Sequence, residues 1–355
     1  MTGPAPIEVE TLEAIDDSDR ESLFAVFAVV RDLVVGRTKQ EKAFARVTLA
    51  DETATVKGVA WHDADHGRAI PALEAIGKGA VVKLLCQADV YDGALQLRIV
   101  KVRAATSEEV DARRESLFGA FHAIVAEVGC RTLVFDIETV PAVERRALPS
   151  TVAEKLAKHA ENSKLEPDAV MGMSPLFGKV VSLAFADGDP RADGAVHALV
   201  VPPDGFAGTL PDWMRAVSEP DLLRAFWALA GSAEVVVSFN GRGFDVPFLV
   251  GRSLVHRIPV RVDLLGNRFS LRPHLDLYRV LTNGERSLGP GGLDVVCWAL
   301  GIESPKNDMD GAMVAPAYER GEIERIATYN AADVRATTEL YQRLERDVLR
   351  FRQDW

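Results

Sequence analysis

A carboxylate pair and a tyrosine–carboxylate pair stand where the chain's own periodicity would aim them together. Asp136-Ile137-Glu138 follows the apolar run Leu133-Val134-Phe135, and Tyr329 precedes Asp333 by four residues in Tyr329-Asn330-Ala331-Ala332-Asp333. In a strand, residues i and i+2 leave the same face, so Asp136 and Glu138 can share one cation. In a helix, residues i and i+4 are neighbours, so Tyr329 can stand beside Asp333. Asp245 closes a loop, Asn240-Gly241-Arg242-Gly243-Phe244-Asp245, after the strand-like Val235-Val236-Val237-Ser238-Phe239. His274-Leu275-Asp276 repeats the i, i+2 arrangement. Carboxylates beside apolar strands are costly unless paired or bound to metal. Oxygen-rich sets suit hard cations such as Mg²⁺ or Mn²⁺ rather than zinc. Gathered at one point, these groups make a two-ion site that cleaves phosphodiesters.

Each motif also has a plainer reading. Asp136 and Glu138 can be solvated acids at a strand end. Asp245, just before Val246-Pro247, can cap a helix, and Asn240 can stabilise a turn. Tyr329 and Asp333 can be a buried hydrogen-bonded pair. His274 can touch a phosphate, Asp276 can support the site from behind, or both can be structural. The loop residues Lys306, Asp308 and Asp310 can face substrate or solvent.

The elements that must position these groups fall into two sets. Residues 1–19 carry six acids and no base and read as a disordered acidic tail. Residues 20–105 read as five strands with a short helix, Ile70–Ile76, between the third and fourth; Asp92-Gly93 marks a hairpin. Residues 106–129 read as a linker helix, with Leu117, Phe118, Phe121, Ile124 and Val125 on one face. From Thr132 strands and helices alternate, which implies an α/β domain over 130–355. About 40 residues between Thr139 and the next strand carry Arg145, Arg146, Lys155, Lys158 and Lys164. They read as a helical hairpin or a clamp on a nucleic-acid backbone, with the clamp favoured.

Bulk properties narrow the class. The 355 residues suit two domains, with 48% hydrophobic and 26% charged residues. No apolar run reaches the length of a membrane span, and the N-terminus lacks a basic region followed by an apolar core, so a cytoplasmic protein is expected. Cys86, Cys130 and Cys297 are widely spaced and read as reduced thiols. His62 and His66 lack companions for zinc. The net charge of −11 neither supports nor excludes nucleic acid: residues 20–105 carry thirteen basic and ten acidic residues, and cations would offset part of the remaining excess.

Taken jointly, Phe135-Asp136-Ile137-Glu138-Thr139, Asn240-Gly241-Arg242-Gly243-Phe244-Asp245 with Pro247, and Tyr329-Asn330-Ala331-Ala332-Asp333 resemble the DEDDy branch of 3′–5′ exonucleases. The likeness is to the proofreading domains of family B DNA polymerases and their stand-alone bacterial relatives, over about residues 130–345, with no room for a polymerase domain in the residues present. The resemblance implies an α/β ribonuclease-H-like exonuclease domain. It implies Asp136, Glu138, Asp245 and Asp333 as ligands of two Mg²⁺ or Mn²⁺ ions and Tyr329 as assistant to the nucleophile. Thr139, Asn240 and Phe244 become substrate contacts. The expected reaction releases nucleoside 5′-monophosphates from 3′ ends of single-stranded DNA or RNA, with DNA preferred. Arg46-Val47-Thr48-Leu49-Ala50-Asp51 with Gly58-Val59-Ala60-Trp61 resembles the OB-fold modules that precede bacterial nuclease domains, a smaller N-terminal all-β barrel. It would hold the strand through Phe44, Trp61 and Tyr91 with Arg46, Lys57, Arg98 and Lys101. Two other classes compete: a decayed exonuclease fold that only binds nucleic acid, and an aspartyl phosphomonoesterase. The second wants an Asp where Glu138 stands and a downstream Lys motif that is missing.

Overall fold

The computed structural model describes residues 6–355 apart from 21, 63–67, 120, 268–269, 284–290, 306–308 and 354, and gives only the backbone of 17, 18, 122 and 126. The expectations for His66, Lys306 and Asp308 lie outside the described residues. The chain divides into two compact units, Met1–Gly129 and Cys130–Trp355.

In the first unit, alternating apolar residues build strands β1 (Ile7–Glu8), β2 (Phe24–Arg37), β3 (Ala43–Ala50), β4 (Thr55–Trp61), β5 (Val81–Tyr91) and β6 (Ala94–Ala104), with helix α1 (Ala69–Ile76) between β4 and β5. The order β2-β3-β4-β6-β5 closes on itself because β5 also pairs with β2. The barrel is antiparallel except for β4 beside β6. Its interior is apolar, including Val26, Ala28, Val47, Leu49, Leu84 and Leu97. The β5–β6 turn places Asp92 at φ 52° and Gly93 at φ 78°, the left-handed pair a two-residue hairpin requires.

The expected disordered tail is corrected from residue 6 onward. Ile7 and Glu8 pair with Phe24 and Ala25. Leu12 and Ile15 are buried in the barrel core, and the Leu12 amide donates to Asp51 Oδ2 at 2.6 Å. Two apolar residues among the acids suffice to seat the segment, and Glu8 pairs with Lys83 and Arg113. The single linker helix is also corrected. It is three short helices, α2 (Ser107–Asp111), α3 (Arg114–Phe118) and α4 (His122–Val128), within the first unit. Gly119, at φ 94°, ends α3.

In the second unit, β7 (Thr132–Pro141), β8 (Gly178–Asp187) and β9 (Val196–Val200) form an antiparallel meander. Strands β10 (Met214–Ala216), β11 (Val235–Ser238) and β12 (His274–Asp276) complete one sheet in the order β10-β9-β8-β7-β11-β12. β7 and β11 run parallel, as do β11 and β12. Helices α5 (Ser150–Ser163) and α6 (Pro167–Gly172) fill the segment after β7 as a hairpin with its own core of Leu156, Ala160, Val170 and Met171. Helices α7 (Glu219–Ser232) and α8 (Asp245–Val255) cover one sheet face, where Phe226 meets Phe135 at 4.8 Å. Helices α9 (Leu277–Thr282), α10 (Leu293–Leu300), α11 (Gly311–Glu319) and α12 (Ile323–Asp347) follow. The 25-residue α12 lies on the opposite face, with Ala331 and Val334 packed in one cluster with Val134 and Ala184. None of the helices among the described residues is long and apolar enough to cross a membrane.

Candidate active site

The central strand β7 sends alternate side chains to opposite faces. Val134, Asp136 and Glu138 face α12, while Phe135 meets α7. α12 brings Asp333 to the same place. Carboxylate oxygens of Asp136, Glu138 and Asp333 all lie within 4.8 Å of one another. Tyr329, one turn before Asp333, hydrogen-bonds with it. The i, i+2 and i, i+4 spacings thus act as expected within their elements. What unites them is the packing of α12 on the meander.

Asp245 is the first residue of α8, a favourable place for an anion. Strand β11 pairs with β7 only as far as Val134. Beyond that point the Ile137 N–H is taken by Asp245 Oδ1 at 3.3 Å. Asp245 therefore adjoins the trio but lies outside the mutually close set. It lines, with Asp136, Glu138, Tyr329, Asp333 and Phe244, a cleft of about 450 Å³. Asn240, Tyr278 and the glycine pair Gly291-Gly292 line it too. The loop before Asp245 is held by Asp276, whose carboxylate accepts from the N–H groups of Asn240 and Arg242 at 2.9 and 3.1 Å and caps α9. Gly241 has no alternative here: a Cβ would sit 2.2 Å from Ser238 Oγ.

The carboxylates gathered here shift one another's ionisation. Burial, and then the charges of Asp245, Asp333 and Glu138, push Asp136 well above the usual carboxylate range. Burial, then Asp333 and Asp245, do the same to Glu138. Burial foremost, with Asp276 and Asp333 behind it, lifts Asp245 to about 7. Burial, then the charges of Asp333, Glu138 and Asp136, raises the Tyr329 hydroxyl. The three close carboxylates of Asp136, Glu138 and Asp333 form an all-oxygen donor set, which fits a hard divalent cation.

Other sites read from the sequence fall differently. Thr139 does not line the cleft: adjacent to Glu138 on the strand, it faces the other way, and its hydroxyl donates to the Gly172 carbonyl at 2.8 Å. The substrate contact expected of Thr139 is therefore corrected to a structural bond. His274 is fully buried between Ser238 Oγ at 2.7 Å and the Leu264 carbonyl at 3.0 Å. It cannot touch a phosphate there. Arg242, buried at the loop, donates to four backbone carbonyls, those of Leu265, Asn267, Ser270 and His274. Asn330 was passed over by sequence reasoning. It is completely buried and donates from Nδ2 to Asp136 Oδ2 at 2.7 Å. The signal was present: Ile326, Asn330 and Val334 fall at i, i+4 and i+8, so the amide sits on an apolar stripe.

A mixed α/β domain with a carboxylate cluster beside its central strand is the class this unit defines. Residues 209–353 match the family described as "Predicted 3'-5' exonuclease related to the exonuclease domain of PolB". That stretch contains the Asp245, Asp276 and Asp333 motifs, while Asp136 and Glu138 precede it. A DNA polymerase of Pyrococcus glycovorans is 29% identical over 139 residues, covering 35% of this chain and 18% of the polymerase. The family B DNA polymerase of Pyrobaculum calidifontis aligns over 90% of this chain and 46% of its own, at 18% identity and a TM-score of 0.42. A domain of replication protein A from Methanococcus maripaludis aligns over 28% of this chain and 94% of its own, at 12% identity and a TM-score of 0.21. The chain spans under a fifth of the curated polymerase it matches and under half of the polymerase structure. The likeness rests on the sequence match: residues 209–353 are similar to the family related to the PolB exonuclease.

Proposed function

We propose that the chain is a metal-dependent 3′–5′ exonuclease of the DEDDy type that releases nucleoside 5′-monophosphates from single-stranded DNA, with RNA as an alternative substrate. The observation that carries this reading is the mutual approach of the Asp136, Glu138 and Asp333 oxygens within 4.8 Å, with Tyr329 bonded to Asp333, in an open cleft. Asp136, Glu138 and Asp333 would hold Mg²⁺ or Mn²⁺, with Asp245 completing the set for a second ion. Bound ions of this kind activate water and offset charge on the leaving oxygen. Tyr329, held by Asp333, orients the attacking water. Phe244 and Asn240 border the terminal nucleotide, and Phe244 keeps its ring in place against Phe248 at 5.6 Å. The meander followed by two parallel strands supports a ribonuclease-H-like domain.

The barrel order, with its helix between the third and fourth strands and its one parallel pair, supports an OB-fold. On its outer surface Phe44 faces Trp61 across the β3–β4 pair at 5.8 Å, and Arg46 lies over the Phe44 ring at 5.2 Å. Phe44 rests on Gly36, where a Cβ would come within 3.1 Å of the ring. Trp61, Tyr91, Arg46, Lys57, Arg98 and Lys101 are exposed. Aromatic faces flanked by cations suit stacked bases and a phosphate backbone.

The test is digestion of end-labelled single- and double-stranded DNA and RNA with Mg²⁺ and with Mn²⁺. A ladder shortening from the 3′ end is expected. Asp136→Ala and Asp333→Ala should each lower the rate by at least about 10³-fold with the fold intact, as expected when a ligand of the reacting centre is removed. Undiminished digestion by both variants would end the reading.

A further inference from the structure

α12 meets the sheet through apolar side chains, among them Ile326, Ala327, Ala331 and Val334, all fully buried. Contacts of this kind are non-directional. They hold a helix against a sheet without naming one rotation or one height. A slip of one residue turns a helix by about 100° and moves it about 1.5 Å. That would carry Tyr329 and Asp333 away from Asp136 and Glu138.

Among these apolar contacts stands the polar Asn330, and both ends of its side chain are bonded. Asn330 Nδ2 donates to Asp136 Oδ2 at 2.7 Å, and Asn330 Oδ1 accepts from Ser182 Oγ at 2.8 Å. Ser182 lies directly across from Glu138 in the β7–β8 ladder. The ladder shifts register just beyond, between Glu138 and Thr139, as sheets do where a side chain is re-aimed. The relay therefore ties α12 to both strands that carry or flank the acidic cluster. A buried, fully bonded amide is directional, and within an apolar interface it can set register at some expense of stability.

We propose that Asn330, oriented by Ser182, is a positioning residue: it keys the register of α12 so that Asp333 and Tyr329 face Asp136 and Glu138, and it fixes the Asp136 carboxylate by one oxygen, leaving the other for a cation. This rests on the metal-site reading above and adds to it a device for assembling the site.

The experiment is Mn²⁺ titration calorimetry on the full chain, paired with thermal unfolding in EDTA. The variants are Asn330→Leu, Ser182→Ala, the double variant, and Asp136→Asn as control. Asn330→Leu keeps the branching at Cγ and the apolar interface, with bulkier methyl ends. It should unfold within a few degrees of wild type yet bind Mn²⁺ about 10- to 100-fold more weakly, as loss of a group behind a metal ligand does. Ser182→Ala should lose about threefold to tenfold, since Asn330 keeps its bond to Asp136, and the double variant should lose no more than Asn330→Leu alone. Should Asn330→Leu fail to fold, Asn330→Ala takes its place with the same expected loss. A well-folded Asn330 variant with wild-type Mn²⁺ affinity, alongside an Asp136→Asn control that has lost it, overturns this inference alone. An Asp136→Asn protein that still binds Mn²⁺ as wild type overturns the metal-site reading, and the inference with it.

Discussion

Replacing Asp245 by Asn should make the metal-free protein more stable, and increasingly so as pH rises. Asp245 is 4% exposed, and its carboxyl stands at about 7 against an ordinary 3.8, chiefly through burial. The folded state thus holds a proton that the unfolded chain releases. Between pH about 4 and about 7 the wild type must lose stability at roughly 1.4 kcal/mol per pH unit, and the loss levels off near 4 kcal/mol. Asparagine cannot ionise, and its amide oxygen can still accept from the Ile137 N–H. The gap between variant and wild type should therefore be near zero at pH 4 and up to ~4 kcal/mol at pH 8. Asp136 and Glu138 are raised in the same cluster, so that figure is a ceiling. For a unit of this size, each kcal/mol moves the midpoint by about 2–4 °C, giving a shift of several degrees to on the order of 10 °C. Scanning calorimetry in EDTA at pH 4, 6 and 8, following the transition of the second unit, measures it. Saturating Mn²⁺ should reverse the order, because the wild type gains more from the ion. An equal gap at pH 4 and pH 8, or a variant less stable at pH 8, refutes the idea that buried like charges dominate this site.

His274 is held neutral, with its protonation pushed down to about 3 by burial. The stability it contributes is complete above the unfolded value of about 6.5 and is lost as pH falls toward 3, at about 1.4 kcal/mol per unit. His274→Gln should flatten the acid limb of a urea-denaturation series between pH 4 and 6.5. Glu219→Gln should cost roughly 3–5 kcal/mol in chemical denaturation, because it leaves Arg252 buried with no counter-charge. Trp61→Ala should weaken oligonucleotide binding by about 1–3 kcal/mol in fluorescence titrations without changing the unfolding midpoint, and Lys101→Ala should reduce the salt slope of binding by about one.

Much of the site was legible because its parts are local. The i, i+2 spacing of Asp136 and Glu138 and the i, i+4 spacing of Tyr329 and Asp333 need only a strand and a helix, and apolar periodicity announces both. The hairpin at Asp92-Gly93 and the helix near Ile70–Ile76 are legible for the same reason: φ preference and side-chain periodicity act over a few residues. The packed N-terminal segment was not legible, since its acids outnumber Leu12 and Ile15 and only a barrel end that needs covering gives those two residues weight.

The sequence by itself determined which side chains carry charge and which way each points within its own element. Only the tertiary structure decided which of them meet. Asp245 stands beside the close trio because β11 stops short of Ile137 and leaves an amide for it to bind. Thr139, next to Glu138 in the chain, is turned to the far face of the sheet and bonded there. Asn330 became the partner of Asp136, 194 residues away, because α12 docks across the meander. Periodicity is a property of a few successive residues, whereas the meeting of distant carboxylates depends on how whole elements bury their apolar faces.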